Sequence, residues 1–276
     1  MTSPAEKRRA FRTLHESGCF VLPNPWDVGT TRYLEAAGFK ALATTSAGYA
    51  FSTGRPDGAI DRDEMLAHIA DLVAATALPM NADFEAGYAP DPAGVAQSVT
   101  LCVGTGVAGL SIEDATGDAA HPLYDLDDAA ARVRAARTAI DATGADVILT
   151  ARAECFLVGR PDVAEVITRL KAYAAAGADC LYAPGIRTRE DIAAVVEAVA
   201  PRPVNVLMPA STGLSVADLA GLGVRRISVG STLSRVAWGA FTASVEEIRD
   251  AGTFHRFADA VPFAEINGFF RAGGDK

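Results

Sequence analysis

The chain has 276 residues, of which 50% are hydrophobic and 21% charged, and it carries a formal net charge of −9 with a pI near 5.0. This composition is typical of a globular protein. The acidic balance excludes the broad basic face that non-specific nucleic-acid binding requires. A local cluster of cations can still bind a small anionic substrate, whatever the total charge.

The cysteines and the N-terminal segment indicate the compartment of the protein. Cys19, Cys102, Cys155 and Cys180 are not paired at the spacing of a metal or redox motif, which predicts reduced thiols. Residues 1–12 are polar, and the apolar segment of a signal peptide does not follow them. No apolar run reaches the length of a membrane span. We therefore predict a cytoplasmic protein that does not bind a membrane.

Helix and strand patterns alternate from the start of the chain to about residue 229. The predicted strands cover 19–22, 40–44, a segment beginning at Met80, 109–112, 147–151, 180–182, 204–207 and 226–229. The predicted helices cover 5–17, 30–37, 61–75, 92–105, 126–143, 161–175, 188–200 and 215–222. Two further helices, broken near Gly252 and Pro262, are predicted in the tail from 232 to 270.

The alternation predicts a parallel sheet covered by helices. Glycines that end a helix a few residues before a strand support it; they are Gly38, Gly106, Gly144, Gly177 and Gly223. Eight units of this length favour a (β/α)₈ barrel of the TIM type with extra C-terminal helices. An open doubly wound sheet is the alternative. It is disfavoured because Pro23-Asn24-Pro25, and not a glycine-rich dinucleotide motif, follows the first strand.

One stretch of the third strand carries three polar side chains at alternating positions. Asn81, Asp83 and Glu85 share one face if the strand is extended, because strand side chains alternate with period two. Three oxygen-bearing side chains at a strand end suit a hard cation such as Mg²⁺. The alternative is a strand that simply runs into a polar loop.

In a barrel of this type, function lies at the C-terminal ends of the strands, here called the rim. Polar residues collect there in the sequence, on strands two, three, four, five and seven; they are Thr44, Thr45, Ser46, Asn81, Asp83, Glu85, Glu113, Asp114, Arg152, Glu154 and Asn205. Several acids therefore surround Arg152, an arrangement suited to a metal and an anion. The alternative for Arg152 is a buried ion pair with Glu113 or Glu154.

Four motifs, in this order, resemble those of the isocitrate lyase / phosphoenolpyruvate mutase superfamily. They are Thr44-Thr45-Ser46-Ala47-Gly48, Asn81-Ala82-Asp83, Ser111-Ile112-Glu113-Asp114 and Ala151-Arg152-Ala153-Glu154. The resemblance implies a modified (β/α)₈ barrel that forms dimers or tetramers and whose last helix packs on a neighbouring subunit. We expect one domain over 1–276, with 232–276 as a helical extension. Packing of the extension on its own barrel is the alternative.

The resemblance also implies roles for single residues. Asp83 looks like the direct ligand of Mg²⁺, which Mn²⁺ could replace. Asn81 sits where many members have an aspartate that holds the metal through water, so this chain has one negative charge fewer there and should bind the metal more weakly. Glu113 resembles an outer carboxylate on the metal waters, and Glu85 could join it. Asp57 matches an aspartate in the loop after strand two and is a catalytic candidate together with Glu113 and Arg152. The implied substrate contacts are Ser46, Ala47, Gly48, Asp83, Arg152 and Asn205.

These roles fit the chemistry of a small 2-oxo mono- or dicarboxylate. Cleavage beside the oxo carbon leaves an enolate, which a divalent metal stabilises as a Lewis acid and backbone donors near Ser46 stabilise as hydrogen-bond donors. Arg152 offers a permanently charged, bidentate partner for the substrate carboxylate. The predicted activity is therefore Mg²⁺-dependent carbon–carbon cleavage or decarboxylation of an oxaloacetate-like acid.

The sequence departs from the family at the positions where its members carry the acid/base residue. The loop 115–125 has neither the cysteine of the lyases nor the lysine of the mutases, and Ala183-Pro184-Gly185 ends strand six without an acid or a histidine. His121 in that loop is a candidate acid, or else a solvated side chain, and Cys155 is expected to pack behind Arg152. Phosphoenolpyruvate or phosphonopyruvate chemistry, and binding of 2-oxo acids without catalysis, are the alternative functions.

Overall fold

The computed structural model describes residues 2–273, and its chain separates into two compact units, one ending at Ser231 and the other beginning at Thr232. The first unit holds eight strands and nine helices, and the second holds the remaining helices. None of the described helices combines the length and apolarity needed to cross a membrane. The candidate site lies wholly within the first unit.

All eight strands are parallel, in the order β1-β8-β7-β6-β5-β4-β3-β2. They are β1 Phe20–Leu22, β2 Leu42–Ala43, β3 Met80–Asp83, β4 Gly109–Glu113, β5 Ile148–Arg152, β6 Cys180–Tyr182, β7 Val204–Leu207 and β8 Arg226–Ser228. A backbone hydrogen bond from Ala43 N to Pro23 O, 3.0 Å long, links β2 to the end of β1 and nearly closes the sheet. The predicted barrel is confirmed, and the open sheet is not what the chain forms.

Nine helices alternate with these strands. They are α1 Pro4–Glu16, α2 Val28–Ala36, α3 Ser46–Ser52, α4 Arg62–Ala74, α5 Pro92–Gly104, α6 Leu126–Ala142, α7 Val163–Ala175, α8 Arg189–Val199 and α9 Val216–Gly221. The five glycines predicted between helix and strand all have positive φ, between 69° and 106°. This is the conformation that ends a helix with little strain at glycine.

The short helix α3 is not among the helices predicted from the sequence. Thr45 caps it, because its hydroxyl accepts a hydrogen bond from Gly48 N at 3.2 Å and so satisfies one of the free amides of the first turn. Small residues fill this segment, and they give no apolar periodicity from which a helix could be predicted. The motif around Ser46 is therefore the first turn of a helix.

Helix α1 closes the N-terminal end of the barrel. Its buried Phe11 packs with Phe20 and Ile148 from the starts of β1 and β5. A Cβ on Gly109 would meet Phe11 Cε1 at 2.6 Å and Asn81 Oδ1 at 2.7 Å, so the close packing there requires glycine. Helix α1 thus covers the end of the barrel opposite the rim.

The second unit contains α10 Thr232–Ala251, a 3₁₀ turn His255–Asp259 and α11 Phe263–Gly273, with a break after Ala251 and another before Phe263 as predicted. Many of its large apolar side chains are exposed, among them Trp238, Phe241 and Phe263. Exposed apolar side chains in such number are typical of a surface that contacts another protein.

Candidate active site

A small cavity opens at the rim of the barrel, where the C-terminal ends of parallel strands bring side chains from distant positions together. Its volume is about 150 Å³. That is roughly the share of five water molecules in the liquid, so the cavity suits a small molecule. Its lining comes from all eight strands and the loops after them, and includes Asn24, Thr45, Ser46, Ala47, Asp57, Asn81, Asp83, Ser111, Arg152, Tyr182, Asn205, Arg226 and Ser228.

Asp83 ends β3 and faces this cavity. Its Oδ2 accepts hydrogen bonds from both the backbone N and the hydroxyl of Ser46, each at 3.0 Å. Its Oδ1 accepts from Arg152 Nη1 at 2.6 Å. The backbone N of Asp83 in turn donates to the Thr44 hydroxyl at 2.9 Å, which fixes the end of β3 against β2. The start of α3 and the end of β5 thus meet at one carboxylate.

Arg152 ends β5 and pairs with three carboxylates at once. Its Nη1 lies 2.6 Å from Asp83 and 3.0 Å from Glu113, and its Nε lies 2.7 Å from Glu154. The guanidinium also lies over the ring of Tyr182, 5.2 Å from its centroid. Both predicted ion pairs of Arg152 exist, and the third contact directs the guanidinium to the cavity.

Burial and mutual repulsion shape the charges around Arg152. Burial raises the pKa of Glu113 well above its usual value despite the nearby guanidinium, and it also raises the pKa of Glu154. Burial opposes the charge on Arg152, but Glu113, Glu154 and Asp83 outweigh it and hold the Arg152 pKa well above its usual value. The rim therefore has more carboxylates than one arginine can neutralise.

The negative charge of Asp83 contributes to the raised pKa values of two further acids. Partial desolvation, reinforced by Asp83, raises the pKa of Asp57 in the loop after α3. Burial also raises the pKa of Glu85 to about 7, although the hydroxyl of Tyr88 donates to its Oε1 at 2.8 Å and opposes the shift. Glu85 and Tyr88 have φ of 46° and 53°, so the backbone is strained where it leaves β3.

The strain explains why Glu85 departs from the alternation of the strand. Strand β3 ends at Asp83, so only Asn81 and Asp83 share the inward face, and both line the cavity. Asn81 lies two residues deeper, and its Oδ1 has no hydrogen-bond partner within residues 2–273. Among those residues, no three histidine, cysteine, aspartate or glutamate side chains are arranged as a ready-made metal cage.

A buried network anchors the two strand ends that carry Glu113 and Arg152. Asp114, directly after β4, accepts hydrogen bonds from the backbone N of Glu154 at 2.8 Å, from Arg169 Nη1 at 3.1 Å and from the Tyr173 hydroxyl. Asp114 and Arg169 are almost completely buried, where a charge must be paired to be tolerated. Helix α7 thereby holds Glu154, and with it the orientation of Arg152.

The other sequence candidates lie apart from this cluster. Gly48 N donates to the Thr45 hydroxyl and is not among the groups lining the cavity, whereas Ser46 and Ala47 do line it. His121 is on the surface, with 85% of its side chain exposed and Asp118 as its neighbour. Cys155 is buried, and burial raises its pKa to about 12, so its thiol stays protonated near neutral pH.

A polar group, here called the floor cluster, lies at the bottom of the cavity, and of its members only Asn205 was predicted from the sequence. It consists of Arg226 from β8, Asn205 from β7, Thr150 from β5 and His15 from α1. Arg226 Nε donates to Asn205 Oδ1 at 2.9 Å and its Nη2 donates to the Thr150 hydroxyl at 3.0 Å. Arg226 and Ser228 alternate along β8, as Asn205 and Leu207 do along β7. This alternation with period two was the signal in the sequence from which the inward-facing side chains of β7 and β8 could have been predicted.

His15 should make the protein less stable in acid. Burial and then Arg226 lower the pKa of His15 to about 3, against an ordinary value of 6.5. The unfolded chain therefore takes up a proton below pH 6.5 that the folded chain refuses, so stability falls as the pH falls. When the pH is lowered from 7.5 to 4.5, the unfolding free energy of the wild type should fall by about 2–3 kcal/mol more than that of His15→Gln. Urea denaturation at the two pH values measures this difference.

A matched control for this experiment is His121→Gln, which changes an exposed imidazole. Its pH profile should follow the wild type. The same pH dependence in His15→Gln as in the wild type would show that His15 is protonated within the fold.

Comparison with known proteins adds family relationships to this geometry. The family model described as phosphoenolpyruvate phosphomutase matches residues 11–249. A crystal structure of a proposed lyase/mutase from Burkholderia cenocepacia J2315 is 52% identical, covers 97% of both chains and superposes with a TM-score of 0.94. A 2,3-dimethylmalate lyase, named as a member of the PEP mutase/isocitrate lyase superfamily, is 28% identical over 99% of this chain and 95% of its own, with a TM-score of 0.84.

A curated relative is the oxaloacetate decarboxylase of Paraburkholderia xenovorans (strain LB400). It is 28% identical over 257 residues, which cover 88% of this chain and 82% of the relative. The relatives named here therefore match this chain over most of its length.

Proposed function

The chain belongs to the phosphoenolpyruvate phosphomutase family, whose members are lyases and mutases of 2-oxo acids, and from this premise we propose that it is a carbon–carbon lyase. Its proposed substrate is a small 2-oxo mono- or dicarboxylate of the oxaloacetate type. The reaction is C–C cleavage or decarboxylation through an enolate. The relatives named as decarboxylase and dimethylmalate lyase support this reaction class.

One observation carries the proposal: Asp83 and Arg152 face the same small cavity in direct contact. A cavity of about 150 Å³ admits an acid of a few heavy atoms and little else. Asp83, Glu113 and Glu154 use the Nη1 and Nε groups of Arg152, and among the described residues its Nη2, with two N–H groups, remains for the carboxylate of a ligand. Tyr182 and the ends of β4 and β5 hold the guanidinium in place, so a bound carboxylate meets an oriented partner.

The residues present also fit a divalent cation. The rim has more carboxylates than Arg152 neutralises, and the buried Asn81 Oδ1 is an acceptor without a partner within the described chain. Mg²⁺ characteristically uses one or two carboxylates and keeps several waters, so a three-acid cage is not required. We propose Asp83 as its direct protein ligand, with Asn81, Glu85 and Glu113 around it. The cation would supply Lewis-acid stabilisation of the enolate oxygen.

The remaining catalytic roles concern proton transfer and substrate orientation. Asp57 and Glu113 have raised pKa values, and a raised pKa brings a carboxyl group closer to the pH at which it can both donate and accept a proton. We propose these two groups as the acid/base candidates, since His121 and Cys155 lie outside the cluster. The Ser46 hydroxyl and Asn205 are the proposed orienting contacts for the substrate.

Chemistry at phosphorus is the second candidate, favoured by the family model itself, which is described as phosphoenolpyruvate phosphomutase. Its substrate would be phosphoenolpyruvate or phosphonopyruvate, and the bond made or broken would join carbon to phosphorus. The same arginine and carboxylates could hold such an acid. The two candidates differ in product and can be separated by one experiment.

The test is a panel of 2-oxo mono- and dicarboxylates together with phosphoenolpyruvate and phosphonopyruvate, each with Mg²⁺, with Mn²⁺ or with EDTA. Proton NMR follows carboxylate products and phosphorus NMR follows phosphate and phosphonate. We expect metal-dependent carboxylate products from an oxaloacetate-like acid. Phosphorus-containing products would favour the second candidate, and thermal stabilisation by an acid without turnover would indicate a binding protein.

We also propose that the protein is a dimer or tetramer in which the residues after 232 contact a neighbouring subunit. The exposed Trp238, Phe241 and Phe263 support this, since monomeric proteins seldom leave so many large apolar groups in water. Light scattering after size exclusion should give a multiple of the 28.6 kDa chain mass. A mass of one chain at micromolar concentration would contradict it.

A further inference from the structure

The floor cluster holds a buried cation without a buried anion. Arg226 is 2% exposed, and its hydrogen-bond partners are Asn205, Thr150 and His15. Within residues 2–273, no aspartate or glutamate lies within ion-pair distance of it. Arg152, by contrast, has three carboxylate partners in the same barrel.

The imidazole of His15 is neutral and does not compensate the charge of Arg226. Its Nδ1 donates to the carbonyl of Phe11 at 2.7 Å, so its Nε2 is the acceptor that faces Arg226 Nη1 at 3.4 Å. The guanidinium has five N–H groups. Three of them are used by Asn205, Thr150 and His15, which leaves one on each terminal nitrogen without a partner among the described residues.

A charge in this position is costly to the folded protein. An uncompensated ion in a low-dielectric interior loses its hydration, and neutral partners replace only part of it. Arg226 also lines the cavity that contains Asp83, Ser46 and Arg152. The missing anion can therefore arrive with a ligand, because the two free N–H groups belong to a side chain that faces the ligand cavity.

We propose that Arg226 binds a second carboxylate of the substrate at the floor of the cavity. This inference rests on the proposed function and narrows it: the site takes a short 2-oxo dicarboxylate in preference to a monocarboxylate. One carboxylate lies at the rim with Arg152, and the other reaches Arg226. Asn205 is held by both neighbours, since its Oδ1 accepts from Arg226 and its Nδ2 donates to the Ser228 hydroxyl at 2.9 Å.

The length of the ligand is limited by the cavity. An acid that reaches Arg152 and Arg226 together has to fit within about 150 Å³, which favours a short chain between its two carboxylates. The alternative is that Arg226 has only a structural role, filling the barrel interior, where its neutral polar neighbours stabilise its charge. The two interpretations differ in what happens when one ligand carboxylate is replaced by a methyl group.

The experiment compares oxaloacetate with 2-oxobutyrate, which carries a methyl group in place of the distal carboxylate. Both are titrated calorimetrically at 10 °C, freshly dissolved, into the full-length protein in EDTA, so that the metal-dependent reaction does not consume the oxaloacetate. We expect the wild type to bind oxaloacetate about 10–100-fold more tightly, the range for a buried hydrogen bond to a charged group. Arg226→Gln should lose that preference and bind 2-oxobutyrate as the wild type does.

A second variant covers the case in which Arg226→Gln fails to fold. Asn205→Asp places a carboxylate against the Arg226 Nε and should pair with it inside the protein. We expect this variant to fold at least as stably as the wild type and to lose the preference for oxaloacetate. A variant that keeps the preference would overturn the role of Arg226.

The outcomes separate the inference from the proposed function. Equal affinity of the wild type for both acids, or an equal loss for both acids in Arg226→Gln, overturns the floor subsite and leaves the proposed function standing. Binding of neither acid to the wild type overturns both.

Discussion

Replacing Arg152 by methionine is expected to lower kcat/KM for the substrate by about 10²–10⁴-fold, because two charge-assisted hydrogen bonds to a carboxylate contribute about 1.5–3 kcal/mol each. The loss should appear largely in KM if the carboxylate is bound equally in the ground state and the transition state. Arg152→Lys keeps the charge but cannot make the paired contact, so it should recover only a small part of the activity. Steady-state kinetics on the acid identified by the panel measures both effects.

The same variant should be less stable. Asp83, Glu113 and Glu154 all lose their cation, and breaking a buried ion pair by removing one partner typically costs about 3–5 kcal/mol. The pKa values of Glu113 and Glu154 are raised even beside Arg152, so the destabilisation should grow as the pH rises and these groups ionise. Urea denaturation in EDTA at two pH values measures it.

Arg160→Met is the control for Arg152→Met. Arg160 is half exposed and pairs with Glu165 on the surface, where an ion pair contributes little. It should change neither stability nor kcat/KM appreciably. A destabilised Arg152→Met protein with unchanged kcat/KM would contradict the substrate contact and leave Arg152 as a structural ion pair.

The barrel could be predicted from the sequence because its signals are local. Each strand is a short apolar run, and each helix–strand connection ends in a glycine that takes positive φ, as at Gly144 and Gly177. The rim residues Asp83, Glu113 and Arg152 follow these strands directly, so parallel topology alone brings them to one end. Contacts between them at 2.6–3.0 Å are the direct result.

The contact between Arg226 and His15 in the floor cluster could not be predicted from the sequence, because it depends on how the barrel closes in three dimensions. Strand β8 is three residues long, and two of them, Arg226 and Ser228, are polar. Such a strand has little apolar signal, so its inward residues were overlooked. The burial of Arg226 becomes evident only when α1 seals the barrel and brings His15 to the guanidinium.

The end of β3 shows the opposite error, a local pattern extended too far. Strict alternation would place Glu85 beside Asp83, but positive φ at Glu85 and Tyr88 ends the strand there. Non-glycine residues adopt positive φ rarely, so the residue types at these two positions do not predict it. The hydrogen bond from Tyr88 to Glu85 stabilises the turn and places this carboxylate after the strand instead of on it.

Asp83→Asn should separate the two roles that the geometry allows for Asp83. Asparagine keeps an oxygen that can accept from Ser46 or Arg152, and Arg152 retains Glu113 and Glu154, so we expect the fold to persist. The negative charge is lost, however, and divalent cations depend on ligand charge. We expect Mn²⁺ affinity, measured by electron paramagnetic resonance without substrate, to fall by more than about a hundredfold, the upper range for outer ligand partners.

The exposed Asp63 provides the matched control, because Asp63→Asn removes one negative charge of the same kind at the surface. It should leave Mn²⁺ affinity unchanged. If Asp83 serves only to orient Arg152, Asp83→Asn would raise KM while Mn²⁺ binds as in the wild type, and the metal assignment would then be wrong. If Asp83 is the metal ligand, Mn²⁺ affinity and turnover fall together, since the enolate loses its Lewis acid while the arginine remains in place.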